Sequence, residues 1–380
     1  MPLNCDAEHR LLQAVLRADE TREAAIADAL GGPVDWARLV RMATTHGVLP
    51  LVYTRLRALA AERVPAEALR ELQGVYALNC RRTLLLTADL VKVVRLLEAE
   101  GIPVLVLKGP ALAMLLYGDP ALRYFADLDL LVHAADYPRV DALLLAQGLR
   151  RGEEAPGEQA YLFPHRADWL EIHWRLADDF FPGALDIEHV FPNNQPVALN
   201  GQPVQTIGTE DTVLYLCLHA LQHTWLRYRY LADFTDALRA MDAAGYEALL
   251  AAARRQGMLT ALLLSMRVAH DVLGCPLPAA VTRAIARHPL IPLLARRIRR
   301  RLEQRAECIP DVLDLLTSRL LPSLSWPNRP RVLALAFTPT ANDHRWLNLP
   351  PYLHWLYPLL RPIRQSGRTL AALYKRFRLR

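Results

Sequence analysis

The sequence predicts an α+β fold: a small mixed-sheet unit flanked by helical regions on its N- and C-terminal sides. Three observations predict it. Apolar residues recur at intervals of three and four along residues 6–100 and again beyond Pro203. Between these stretches the apolar residues instead form short continuous or alternating runs, the pattern of strands. And 52% of the 380 residues are hydrophobic, enough for two or three cores and far from the composition of a disordered chain.

In chain order, the first region places Leu11, Leu12, Val15 and Leu16 on one helical face, then Leu49, Val52 and Leu56, then a long amphipathic run from Leu84 to Leu97. Gly31-Gly32-Pro33 and Pro65 punctuate it. The pattern changes at Gly101-Ile102-Pro103, where Val104-Leu105-Val106-Leu107 reads as a buried strand. Lys108-Gly109-Pro110 follows and opens a helix through Tyr117, with Pro110 in the first turn, where its missing amide costs nothing. After Gly118-Asp119-Pro120 and Arg123 come a strand over 127–133 and a helix over 136–147. Residues 158–164 and 167–174 read as an antiparallel pair joined near Pro164-His165-Arg166. Beyond Pro203 the chain is expected to be helical, with N-cap chemistry at Thr209-Glu210-Asp211 and further helices to about residue 305. The expected division is an N-terminal helical region 1–100, an α/β unit 101–200, a helical unit 201–310 completing the site, and a C-terminal helical extension 311–380 with a basic tail.

Composition excludes several classes. Cys5, Cys80, Cys217, Cys275 and Cys308 are widely spaced and odd in number, which argues against a disulfide framework or zinc ribbon and fits a reducing cytoplasm. The opening MPLNCDAEHR lacks the regions of a signal peptide, and no uninterrupted apolar run is long enough for a transmembrane helix. The expected location is cytoplasmic. The net charge of +6 is concentrated in Arg296–Arg305 and in the last twenty residues, which contain seven Lys and Arg and no acid. Such patches either solvate a helix face or dock an anionic surface, so the tail is a candidate membrane-surface contact. Only Tyr374 and Phe377 fall among the tail's cations, which does not amount to a stacking platform, and nucleic acid is disfavoured.

The segment Arg123-Tyr124-Phe125-Ala126-Asp127-Leu128-Asp129-Leu130 carries the chemistry. Residues two apart on a strand share a face, so Asp127 and Asp129 project together while Leu128 and Leu130 turn to the core. Paired carboxylates repel one another unless a cation reconciles them, and hard oxygen donors suit Mg²⁺ or Mn²⁺. The plainer alternative is two acids on a solvated strand face. Trp169, Glu171 and His173 share a face of a second strand, and Glu171 becomes a third carboxylate if that strand lies beside the first. Three carboxylates meet the requirement of a two-metal site, whose ions lie roughly 3.5–4 Å apart and stabilise the attacking and leaving oxygens. Asp168 points the other way. Lys108-Gly109, at a strand end and a helix start, offers amides and a point charge to a triphosphate, and Arg123 offers a second charge. No GxxxxGK[ST] or GxGxxG is present, so neither a P-loop nor a Rossmann site is supported.

At these residues the sequence resembles the DNA polymerase β superfamily of nucleotidyltransferases. More narrowly it resembles the nucleotidyltransferase family 5 type of bacterial proteins, through LKGPAL, YGDPALRYFADLDLLV, LEIHWRL, EDTVLYLCLHALQHTWLRYRYLADF and LPPYLHWLYPLLRP. The resemblance implies a polymerase β-like domain that moves a nucleoside monophosphate from an NTP to an acceptor such as a sugar, a peptide natural product or a protein. It places metal ligands at Asp127, Asp129 and Glu171, and the phosphate loop at Lys108 and Gly109. Two features depart from the superfamily pattern: Lys108-Gly109-Pro110 stands where Gly-Ser is usual, and Glu171 where Asp is common. The resemblance also turns His219, His223, Arg227 and Asp233 toward the nucleotide, with Tyr230 projected between the two histidines. A buried polar network between helices is the competing account, as it is for His173 beside Glu171. Kinase-like phosphoryl transfer from the same platform, and a non-catalytic nucleotide- or partner-binding scaffold, are the alternative functions.

Overall fold

The computed structural model describes residues 6–177, 185–303, 334, 337–339 and 341–360. The basic tail, Cys5, Cys308 and Arg305 lie outside the described residues.

Four helices, α1 (Ala7–Leu16), α2 (Arg22–Ala29), α3 (Trp36–Thr45) and α4 (Leu49–Leu59), form an N-terminal layer, followed by the long α5 (Ala66–Ala99). The mixed sheet then alternates with helices: β1 (Leu105–Val106), α6 (Gly109–Tyr117), β2 (Asp127–Leu131), α7 (Tyr137–Ala146), β3 (Arg150–Ala155), β4 (Glu158–Leu162), β5 (Trp169–His173), α8 (Ile187–Val190), β6 (Asn194–Leu199) and β7 (Gln202–Ile207). Six further helices follow: α9 (Thr209–Gln222), α10 (Tyr228–Arg239), α11 (Ala243–Arg255), α12 (Leu259–Leu273), α13 (Ala279–Ala286) and α14 (Leu290–Glu303).

The seven strands run in the order β3-β4-β5-β2-β1-β7-β6. The α+β class holds, and the central pairing is the one the site needs: β2 lies parallel to β5, with Asp127 opposite Trp169, Asp129 opposite Glu171 and Leu131 opposite His173. The 158–174 hairpin is present as β4 antiparallel to β5. Strand alternation divides the interior in two. Val104, Val106, Leu128, Leu130, Leu170 and Ile172 face α5 and α7 in one core. Leu105, Leu107, Leu131 and Ile207 face the other way, into a larger core shared with α1–α4 and α9–α14.

Several expectations need correction. The first strand has two residues, not four. The chain does not turn helical at Pro203: β6 and β7 form an antiparallel hairpin running to Ile207. Prolines at 196 and 203 obscured it, yet a signal was present, since Asn200-Gly201 adopt the paired positive φ (50° and 74°) of a tight hairpin turn. β3 was also missed, because Arg150–Ala155 is polar and mostly exposed and shows no apolar alternation. The cap of α9 is Gly208 rather than Thr209. Among the described residues no helix is long and apolar enough to cross a membrane, and Cys80, Cys217 and Cys275 are free. On α14, Arg296, Arg299 and Arg300 face solvent, with Arg299 paired to Glu303.

Candidate active site

β2 and β5 bring their polar faces together beneath α9 and α10. Asp129, Glu171 and His173 each direct one ligand atom to within 4.8 Å of the others. Asp129 is 1% exposed, and its Oδ1 accepts from Lys108 Nζ at 2.7 Å and lies 3.2 Å from His173 Nε2. Its Oδ2 is buried and has no hydrogen-bond partner among the described residues. A buried, unsatisfied carboxylate oxygen is costly, and such an atom is where an absent cation would bind. Glu171, 29% exposed, and the half-buried Asp127 open the cluster to the outside.

The electrostatics separate the two aspartates. Burial, then the neighbouring Asp129, pushes the Asp127 carboxyl up, against Lys108 and Arg229. Burial also works against the Asp129 charge, but Lys108 and the His173 hydrogen bond outweigh it and hold that carboxyl well below the usual range. His173 is likewise opposed by burial, yet hydrogen bonds to Asp129, Glu158 and Glu171 carry it well above an ordinary imidazole. Hard oxygen donors with one orphaned atom fit a divalent cation, and the side chains whose ligand atoms converge are Asp129, Glu171 and His173; Asp127, expected as a ligand, lies on the same strand face but outside that group.

Lys108 reaches this position because β1 ends there and Gly109, at φ +57°, starts α6 in a conformation that only glycine adopts without strain. Lys108 nevertheless points at Asp129 rather than outward. Arg123 and Asp233 are brought together, but on each other: Arg123 Nε donates to Asp233 Oδ2 at 2.9 Å, both side chains buried, and the half-buried Tyr117 donates its Oη to Oδ1. Arg123 is thereby committed to a structural ion pair instead of standing free for phosphate. Arg227 is exposed and donates to the Thr45 carbonyl, away from the carboxylates.

His219 and His223 do share a face, with ring centroids 4.5 Å apart, and Tyr230 packs on both at 5.2 and 5.3 Å. The expected continuous helical projection is not what puts it there. α9 ends at Gln222, Thr224 and Trp225 take left-handed φ of 51° and 55°, and α10 starts anew at Tyr228. Burial and the nearby Lys108 push His219 well below an ordinary imidazole, so it is neutral.

Sequence reasoning missed three residues. Glu158 Oε2 lies 3.1 Å from His173 Nδ1, opposite it on β4. Period-two alternation puts Glu158 on the right face, but the register across residues 163–168 is a tertiary fact. Tyr215 lies beneath Lys108, its ring centroid 5.8 Å from Nζ. Arg229, two residues beyond the expected Arg227, is close enough to the cluster to draw the Asp127 carboxyl down. On the far side of Gly47 an apolar groove of about 170 Å³ opens, lined by Val75, Leu78, Asn79, Arg82 and Tyr124. Arg82 holds the adjacent strand entry by donating to the carbonyls of Phe125 and Ala126.

A mixed sheet presenting acidic residues from adjacent parallel strands, closed by helices, is the arrangement of a nucleotidyltransferase. The chain belongs to the family described as uncharacterised nucleotidyltransferase, whose model matches residues 32–274. It is therefore a nucleotidyltransferase enzyme, and the family implies an NTP substrate and a divalent metal. Among solved structures, that of the antibiotic-resistance factor ANT(2'')-Ia in solution aligns at 18% identity, covering 45% of this chain and 92% of that one, with a TM-score of 0.37. A crystal structure of ANT(2'')-Ia with adenylyl-2''-tobramycin aligns at 18%, covering 45% and 98%, with a TM-score of 0.36. An antigenic nucleotidyltransferase-like protein from Paracoccidioides brasiliensis aligns at 18%, covering 48% and 91%, with a TM-score of 0.30. No curated protein matches the chain.

Proposed function

We propose that this enzyme moves a nucleoside monophosphate from an NTP to a hydroxyl or phosphate acceptor (a sugar, a peptide natural product or a protein) with release of pyrophosphate. Asp127, Asp129 and Glu171 would hold two Mg²⁺ or Mn²⁺ ions, which would supply neutralisation of phosphate charge and acidification of the attacking hydroxyl. The observation that carries the reading is the β2–β5 register, which sets Asp129 opposite Glu171 and leaves Asp129 Oδ2 buried and unpartnered.

The chain's own residues then divide the work. Lys108, 2.7 Å from Asp129, keeps that carboxylate ionised in the absence of other cations. His173, tied to Glu158 and Asp129, fixes the carboxylates in orientation. Gly109 brings the start of α6 and its free amides to the site, as anion binding requires. Glu171, far more exposed than Asp129, would accept the acceptor's proton.

One observation favours a second reading. Lys108 already compensates Asp129, and that carboxylate is closed to solvent, as a non-catalytic scaffold would have it. Incubation with each α-labelled NTP and Mg²⁺ or Mn²⁺ separates the cases. Pyrophosphate release supports nucleotidyl transfer, nucleoside diphosphate release supports phosphoryl transfer, and neither product in any combination leaves the scaffold.

A further inference from the structure

We infer that Arg229 is the anion-binding arm of this site, gripping the polyphosphate of the incoming nucleotide; the inference rests on the nucleotidyl-transfer reading and extends it to a residue outside the carboxylate cluster.

The cations that the sequence offered for the site are engaged. Lys108 is bonded to Asp129 and Arg123 to Asp233, and Arg227 turns out to the Thr45 carbonyl. Arg229 differs. Among the described residues no carboxylate forms a salt bridge with it, and its Nε is buried without a hydrogen-bond partner. Its guanidinium lies 5.1 Å from the centroid of the Tyr230 ring, and one terminal nitrogen reaches Tyr230 Oη at 3.4 Å. Tyr230 packs on His219, His219 on Tyr215, and Tyr215 lies under Lys108, so a continuous run of side chains joins Arg229 to Asp129.

The arm is also held in place. The Arg229 amide donates to the His46 carbonyl at 3.2 Å, and the Tyr228 amide donates to His46 Nδ1 at 3.3 Å. The next residue, Gly47, has φ +69°, and a Cβ there would sit 3.0 Å from Arg229 Cδ. Glycine is needed twice over, for the backbone and for the arginine stem. A guanidinium so confined, stacked on a ring and with donors to spare, suits a multivalent phosphate, since its planar fork bonds phosphate oxygens two at a time. Lysine would supply the charge without the fork.

Calorimetric binding tests it, using ATP, adenosine and inorganic tripolyphosphate, each with Ca²⁺ to suppress turnover, on the wild type, Arg229→Gln and Arg229→Lys. If ATP is not the preferred nucleotide, the NTP that gives product replaces it. The expected result is a loss of tenfold or more in ATP and tripolyphosphate affinity in Arg229→Gln, partial recovery in Arg229→Lys, and unchanged adenosine binding. Thermal melting of each variant establishes that it folds. Wild-type ATP and tripolyphosphate affinity in a folded Arg229→Gln overturns the inference, even if pyrophosphate release stands. Equal losses for adenosine also overturn it, because the residue would then shape the fold and not the phosphate site. If the wild type releases no pyrophosphate from any NTP, the function reading fails, and tripolyphosphate binding still decides whether Arg229 holds anions.

Discussion

The two faces of the central sheet are built from the same strands and do opposite things. Toward α5 and α7, Leu128, Leu130, Leu170 and Ile172 are fully buried in an apolar core. Toward α9 and α10, Asp127, Asp129 and Glu171 gather like charges around His173, where a buried charge is costly unless paired. The first face contributes stability through burial. The second holds electrostatic tension that only a cation, internal or bound, relieves. The difference recurs within the second face. Asp129 is locked between Lys108 and His173, whereas Asp127 stands at the opening with its carboxyl pushed up by burial.

The largest expected effect breaks that pair apart. Asp129→Asn and Asp127→Asn should each reduce pyrophosphate release by a factor of a thousand or more, about 4 kcal/mol of transition-state stabilisation. Read from sequence, both changes should spare the fold. The structure divides them: Asp129→Asn strands two buried cations and should cost about 3–5 kcal/mol, while Asp127→Asn should cost under about 1 kcal/mol. Urea unfolding of the two variants side by side checks it, and equal midpoints would abolish the distinction.

Next comes the apolar face. Leu130→Ala should lose about 2–5 kcal/mol of stability and leave turnover per folded molecule unchanged. A large change in kcat at temperatures where the variant is folded would mean the two faces are not separable.

Acid should then loosen the helical cover of the polar face. His46, which accepts from the Tyr228 amide, is pushed down to about 3 by burial and then by His9 and Arg227. The sign follows from proton uptake. Below its ordinary value near 6.5 the unfolded chain binds a proton that the folded chain refuses. Stability from this group is therefore intact above pH 6.5 and falls as pH drops toward 3. Between pH 6.5 and 4.5 the loss reaches about 2 kcal/mol. His46→Asn, which keeps an acceptor but cannot titrate, should flatten that slope in denaturation curves taken across the range.

The smallest effect concerns the turn between α9 and α10. Thr224 is held at φ 51° with a buried, unpartnered hydroxyl. Thr224→Gly should raise stability by about 1 kcal/mol and raise KM for the NTP if the strained turn positions Arg229. A higher Tm with unchanged KM would assign the strain no part in the site.

Much of this was legible in advance. Period-two alternation put Asp127 and Asp129 on one face and Leu128 and Leu130 on the other, because a strand admits no other arrangement. The same rule grouped Glu171 with His173. The histidine–tyrosine cluster was found, though through a continuous helix that the structure breaks at Thr224. Arg123 and Asp233 were both singled out, but their attraction to each other rather than to phosphate was not visible, since they lie 110 positions apart. Arg227 was named through the family resemblance, whereas the structure turns it to the Thr45 carbonyl.

The sequence by itself determined what depends on neighbours within a few residues: which face each side chain of a strand presents, the glycine-bearing start of α6, the helical character of both flanks, and the acidic pair. Only the tertiary structure decided which strands lie side by side, that Glu158 meets His173, that Lys108 turns to Asp129, and that Gly47 and His46 hold Arg229 in place. The physical reason is range. Alternation and capping are fixed by covalent geometry, whereas register, burial and charge pairing arise between segments that meet only when the chain has packed.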